Sequence, residues 1–208
     1  MRSRDPSTEE VVVPFPAPPE QLGVADRIRT TLLVSSLNSI RKRGSYDDYM
    51  RVLARQYHDT IGTLIAGQWV AMDIGLAHYE ACQALRISKP EVVAIGREVG
   101  DKLHGTFLAA MVRMAGTAGA TPWVAMKFIP KLYDRVFTGG GGVTVIKTGP
   151  KDARVTFVGY PVARVPYYRL AMTGVFEVGL ELFCRKAYVS DVAAEATPTT
   201  AVLTMSWA

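Results

Sequence analysis

Four consecutive glycines, Gly139-Gly140-Gly141-Gly142, separate two parts of this chain in which apolar residues recur with different periods. After them, Gly142 to Thr148 and Ala153 to Tyr160 are β-rich runs around Gly149-Pro150-Lys151-Asp152, which predicts a hairpin with a short turn. Pro161 and Pro166 end that pattern. From Tyr168 to Lys186 the apolar positions Leu170, Phe176, Val178, Leu180, Leu182 and Phe183 return to helical spacing. The chain closes with Tyr188 to Ala196 and Thr200 to Trp207, joined by Thr197-Pro198-Thr199; Ala201, Leu203, Met205 and Trp207 there alternate with Val202, Thr204 and Ser206. Two hairpins around one helix form a small antiparallel sheet, one apolar face of which must be covered.

The sequence before the glycines supplies the cover. Leu22, Ala25, Ile28, Leu32, Leu33, Leu37 and Ile40 fall on one helical face, with Gly44 as a stop. Ser45 and Asp48 resemble a capping box, and Tyr57 to Leu85 reads as a long central helix rich in Gly and Ala. Ser88-Lys89-Pro90-Glu91 is a strong N-terminal signature for a helix to about Gly100. Leu103 to Ala115 and Pro122 to Phe137 follow as further helices. The fold class expected is therefore α+β, an N-terminal helical bundle packed on a small C-terminal sheet. With 208 residues, 49% of them hydrophobic, the chain can bury one sizeable core. The domain reading is a Pro-rich arm over residues 1–20, where Pro6, Pro14, Pro16, Pro18 and Pro19 forbid a helix, and a single domain over 21–208.

Composition excludes several function classes. The formal charge is +5, but its only dense run is Arg41-Lys42-Arg43, a solvated helix end rather than a phosphate-binding stripe, so no nucleic-acid partner is expected. Gln68 and Asp73 interrupt the most membrane-like stretch, and no membrane span is expected. The first ten residues have no apolar run of the secretory kind, and Cys82 and Cys184 sit in apolar helical patterns. A cytoplasmic protein without a disulfide is the expectation.

Chemistry-bearing motifs are few. The four glycines leave a helix and enter a strand, the reverse of a phosphate-binding loop, so they read as a helix stop. His58, His78 and His104 stand apart, except that His78 and Cys82 share a helical face; two ligands are too few for a metal site. There is no nucleophile elbow, so neither catalytic nor metal residues are assigned. Trp69, His104, Trp123, Tyr167 and Tyr168 are the candidate ligand-binding residues, lining a pocket between helices and sheet.

The run Phe137 to Val143, the strand Arg154 to Gly159, Pro166-Tyr167-Tyr168 and Gly174-Val175-Phe176-Glu177-Val178-Gly179-Leu180-Glu181 resemble a family of myxobacterial proteins of about this length; Tyr57 to Trp69 and Pro90 to Gly100 fit its helical half. More distantly, the last third resembles the superfamily of haem-based nitric-oxide sensors, vinyl-reductase-like ligand modules and small TRAPP subunits. That resemblance implies helices followed by a twisted antiparallel sheet, and a haem, small apolar or acyl ligand, often in a dimer. The sequence departs from the haem branch, because Pro122 to Phe137 holds no His and no Tyr-x-Ser-x-Arg motif occurs. The functional expectation is a non-catalytic regulatory module that buries a small apolar molecule and needs no cofactor. The alternatives are a dimeric adaptor with a protein partner and, second, a haem- or metal-dependent sensor.

Overall fold

In a computed structural model the chain is described over residues 10–102 and 121–208, with the backbone alone over 103–115. The C-terminal third has the expected arrangement. Strands β5 (Gly142–Gly149) and β6 (Asp152–Val158) form the first hairpin, helix α8 (Pro166–Glu181) follows, and β7 (Ala187–Asp191) and β8 (Thr200–Trp207) form the second. β6 pairs with β8, so the two hairpins join in one antiparallel sheet. The alternation read from the sequence sets its faces: Val143, Val145, Val155, Phe157, Leu203 and Met205 are buried, whereas Arg154, Thr156, Thr204 and Ser206 are half-buried on the other side.

The arm contributes a strand of its own. β1 (Glu10–Val13) pairs antiparallel with β5, Glu10 opposite Lys147, giving the order β1-β5-β6-β8-β7. A second, three-stranded sheet joins β2 (Arg27–Arg29) to β3 (Trp69–Ala71) and β4 (Phe137–Thr138).

The helical half runs α1 (Thr30–Lys42), α2 (Tyr46–Val52), α3 (His58–Gly62), α4 (Met72–Ala84), α5 (Lys89–Ala115), α6 (Pro122–Met126) and α7 (Ile129–Val136). The central helix expected from Tyr57 to Leu85 is broken in two. Gly67, at φ 94°, turns the chain, Thr30 donates its hydroxyl to the Ile65 carbonyl at 2.6 Å, and Trp69–Ala71 leave as a strand. Conversely, the two helices expected on either side of Gly100 are one, opened as expected by Ser88, whose backbone N–H and hydroxyl both donate to Glu91. Ser45 makes no side-chain cap. The glycine run does not stop a helix as expected: α7 ends at Val136, Phe137–Thr138 form β4, and the glycines, with Gly139 at φ 92° and Gly141 at φ 95°, turn the chain from β4 into β5.

α8 explains how the halves meet. Eleven of its sixteen residues are buried, so it lies inside the molecule, between the sheet and helices α1 and α5. Its crossing with α5 has almost no side chain in it. A Cβ on Gly96 would fall 1.9 Å from the Ala171 carbonyl oxygen, and one on Gly174 would fall 2.2 Å from that of Val93. Beyond the crossing Arg97 donates to Glu177 at 2.8 Å and to Glu181 at 2.5 Å. At its other end Arg169, 7% exposed, pairs with Asp191 on β7. No helix among the described residues is long and apolar enough to cross a membrane.

Candidate functional site

Among the described residues, the layer around α8 encloses two small cavities. One cavity, of about 20 Å³, has walls from α1 (Leu32, Ser36), α4 (Tyr79), α5 (Ile95, Gly96, Val99) and α8, including Tyr167, Tyr168 and Met172. A second, of about 10 Å³, lies between α7 and α8, against Leu132, Tyr133, Phe137, Tyr168 and Met172. Leu32, Tyr168, Met172 and Val175 line both, so the two are ends of one seam. Aromatic rings close it: Tyr79 meets Tyr168 edge-on at 5.0 Å, Tyr133 stacks on Phe157 at 4.5 Å, and the hydroxyls of Tyr133 and Tyr168 are 3.3 Å apart. Burial raises the pKa of both Tyr79 and Tyr133 well above the ordinary phenol value, so these hydroxyls stay protonated.

Beside the seam, inside α4, is a polar cluster. His78 and Cys82 do share a helical face, but neither is exposed: the imidazole is fully buried. Its Nδ1 shares a hydrogen bond with the Tyr49 hydroxyl at 3.0 Å, and the Cys82 thiol lies 3.7 Å from Nε2. Burial pushes the thiol pKa up, making it an inert, protonated group. Burial also pulls the His78 pKa from 6.5 down to about 3, keeping the ring neutral. Between those two values the unfolded chain binds a proton that the folded chain refuses, so stability falls as pH drops below 6.5. The loss approaches about 1.4 kcal/mol per pH unit, or about 2–3 kcal/mol by two units below. We expect His78→Gln, which keeps a polar partner for Tyr49 but cannot titrate there, to flatten the acid limb of a plot of unfolding free energy against pH. A variant as acid-sensitive as the parent would remove His78 as the cause.

The structure brings together only part of the candidate ligand set. Tyr167 and Tyr168 are buried side by side in the seam. Trp69 is 37% exposed on β3 beneath the Arg29 guanidinium, and Trp123 stacks edge-on against Trp207 with the Lys147 ammonium over its ring. Neither tryptophan reaches the cavity walls. The side chain of His104 lies outside the described residues. Tyr79, Tyr133, Ser36 and Met172 belong to the walls although the sequence reading did not select them. Tyr79 and Tyr133 carried the same signal as the tyrosines that were chosen, an aromatic ring with a polar tip at an apolar helical position. Cys82 and Cys184 are both free. Among the described residues no group of three or more His, Cys, Asp or Glu side chains could hold a metal ion.

No family model matches the sequence, and no curated protein matches it. Solved structures do share its fold. The Fe(II) unliganded H-NOX protein from K. algicida superposes over 87% of this chain and 97% of its own, with a TM-score of 0.65 at 8% identity. An oxygen-binding H-NOX domain related to soluble guanylate cyclases, solved as its oxygen complex, gives 0.53 at 12% identity over 86% and 95%. A structure from work on haem distortion in the H-NOX family gives 0.51 at 13% identity over 86% and 95%. The chain therefore has the H-NOX fold, in agreement with the expected α+β class. These neighbours correct the expectation of a module without a cofactor, because haem is the group that this family of structures is described with.

Tyr133, Tyr168 and Met172 are of residue types that ligate haem iron, but burial keeps both phenols protonated and their hydroxyls face each other. The volume is too small: cavities of about 20 and 10 Å³ hold a water-sized molecule, whereas pockets for larger ligands run to about 300 Å³ and more. As packed, the seam does not fit a macrocycle, and no step of a mechanism is derived through one.

Proposed function

We propose that this chain is a cytoplasmic sensor domain of the haem-dependent kind, built on the H-NOX scaffold. One observation carries the reading: the match spans 87% of this chain and 97% of an H-NOX protein, so the domain is present from end to end rather than as a shared fragment. The haem-dependent sensor, the second alternative drawn from the sequence, fits these neighbours better than a module for a small apolar molecule alone. The tyrosine-walled seam lies among helices α1, α4, α5, α7 and α8, on the side of α8 away from the five-stranded sheet, whereas the small-ligand reading placed its pocket between helices and sheet. A ligand larger than water requires the helices around the seam to part, since the space as packed holds only a water-sized molecule.

Hemin titration of the purified protein tests this. A Soret band that saturates at one equivalent per chain is the expected result. Met172→Trp, which overpacks the seam from α8, is expected to abolish it and to lower the thermal midpoint, with far-ultraviolet circular dichroism at low temperature checking that the variant is folded. An absorption spectrum that stays that of free hemin through a molar excess would overturn the proposal.

A further inference from the structure

Two hydroxyl groups at the larger cavity have no partner. Ser36 Oγ and Tyr167 Oη are both sealed from solvent, in residues 4% and 3% exposed, and neither makes a hydrogen bond. A buried hydroxyl left unpaired is costly, and such groups in native proteins usually mark an ordered water. The two hydroxyls wall the same cavity and stay short of bonding geometry with one another, an arrangement that a bridging molecule completes. The cavity of about 20 Å³ that Ser36 and Tyr167 help to wall exceeds the ~10–15 Å³ that one water needs.

We infer that the haem-free protein holds a single water molecule between the Ser36 and Tyr167 hydroxyls. As packed, the site has room for one hydrogen-bonding molecule of water size, with Leu32, Ile95, Val99 and Met172 supplying the rest of its wall. The inference rests on packing and does not depend on the haem reading.

Opposite signs of effect make it testable. With water present, Ser36→Ala and Tyr167→Phe each strip a partner from it, and the thermal midpoint of the haem-free protein should fall by about 2–6 °C. In a dry cavity the same changes delete an unsatisfied group, and the midpoint should hold or rise. A crystal structure of the unaltered chain settles the matter even if a variant fails to fold. Density for a water within hydrogen-bonding distance of both hydroxyls is expected, and an empty cavity there overturns the inference.

Discussion

Gly96→Ala is expected to lower the thermal midpoint by about 6–12 °C. The added Cβ would lie 1.9 Å from the Ala171 carbonyl oxygen and 2.7 Å from its carbon. Both are backbone atoms inside a helix, so no side chain can swing aside and α5 must lift from α8. Overpacking of this severity costs about 3 kcal/mol or somewhat more, and in a domain of this size each kcal/mol moves the midpoint by about 2–4 °C. Gly62→Ala is the matching control. Its Cβ meets nothing within 4 Å on the short helix α3, and the better helix propensity of alanine should leave the midpoint level or slightly higher. Scanning calorimetry of the two variants checks both. If Gly96→Ala melted with the parent, the helices would not cross at that glycine.

The second large effect belongs to Asp191→Ala. The Arg169 guanidinium is held from two sides, Nε donating to both Asp191 oxygens at 3.2 and 3.1 Å and Nη1 to the Ala163 carbonyl at 2.7 Å. Its side chain is only 8% exposed, so removing the carboxylate leaves a cation in the core without its counter-ion. Breaking a buried pair from one side costs about 3–5 kcal/mol, whereas replacing both members with apolar groups can be close to neutral. Chemical denaturation of Asp191→Ala should therefore show a loss in that range, and the double change Arg169→Met with Asp191→Leu should regain most of it. A double variant whose loss equals the sum of the single ones would show that the two charges are not coupled.

Much of this fold was legible in the sequence, and the parts that were not share a cause. Period alone located both hairpins and the helix between them, because alternation along β6 and β8 and the spacing in α8 are local properties. Ser88 with Glu91 gave the start of α5 for the same reason. β3 was hidden inside apparent helical spacing because what makes Trp69–Ala71 a strand is Arg27–Arg29, some forty residues earlier. The candidate site divided similarly. Tyr167 and Tyr168 were found as an aromatic pair in an apolar segment, but Trp69 and Trp123 look no different by that criterion, and only packing puts them elsewhere. Ser36 reads as an ordinary polar position on α1; its burial is set by α8, which lies more than a hundred residues away. The cofactor expectation went astray because it was drawn from the absence of a histidine and a short motif. At 8% identity, the likeness to haem domains lies in the path of the backbone.

The pairing of β1 with β5 also bears on how the chain is born. Glu10 meets Lys147 across 137 positions of sequence. At about 5–20 residues per second of synthesis, Val11, Val12 and Val13 emerge roughly 7–30 s before their partner strand exists. During that interval the three valines lack the strand they pair with and form an apolar stretch open to ribosome-associated chaperones, so β1 is held in the sheet only once the whole helical half has been made.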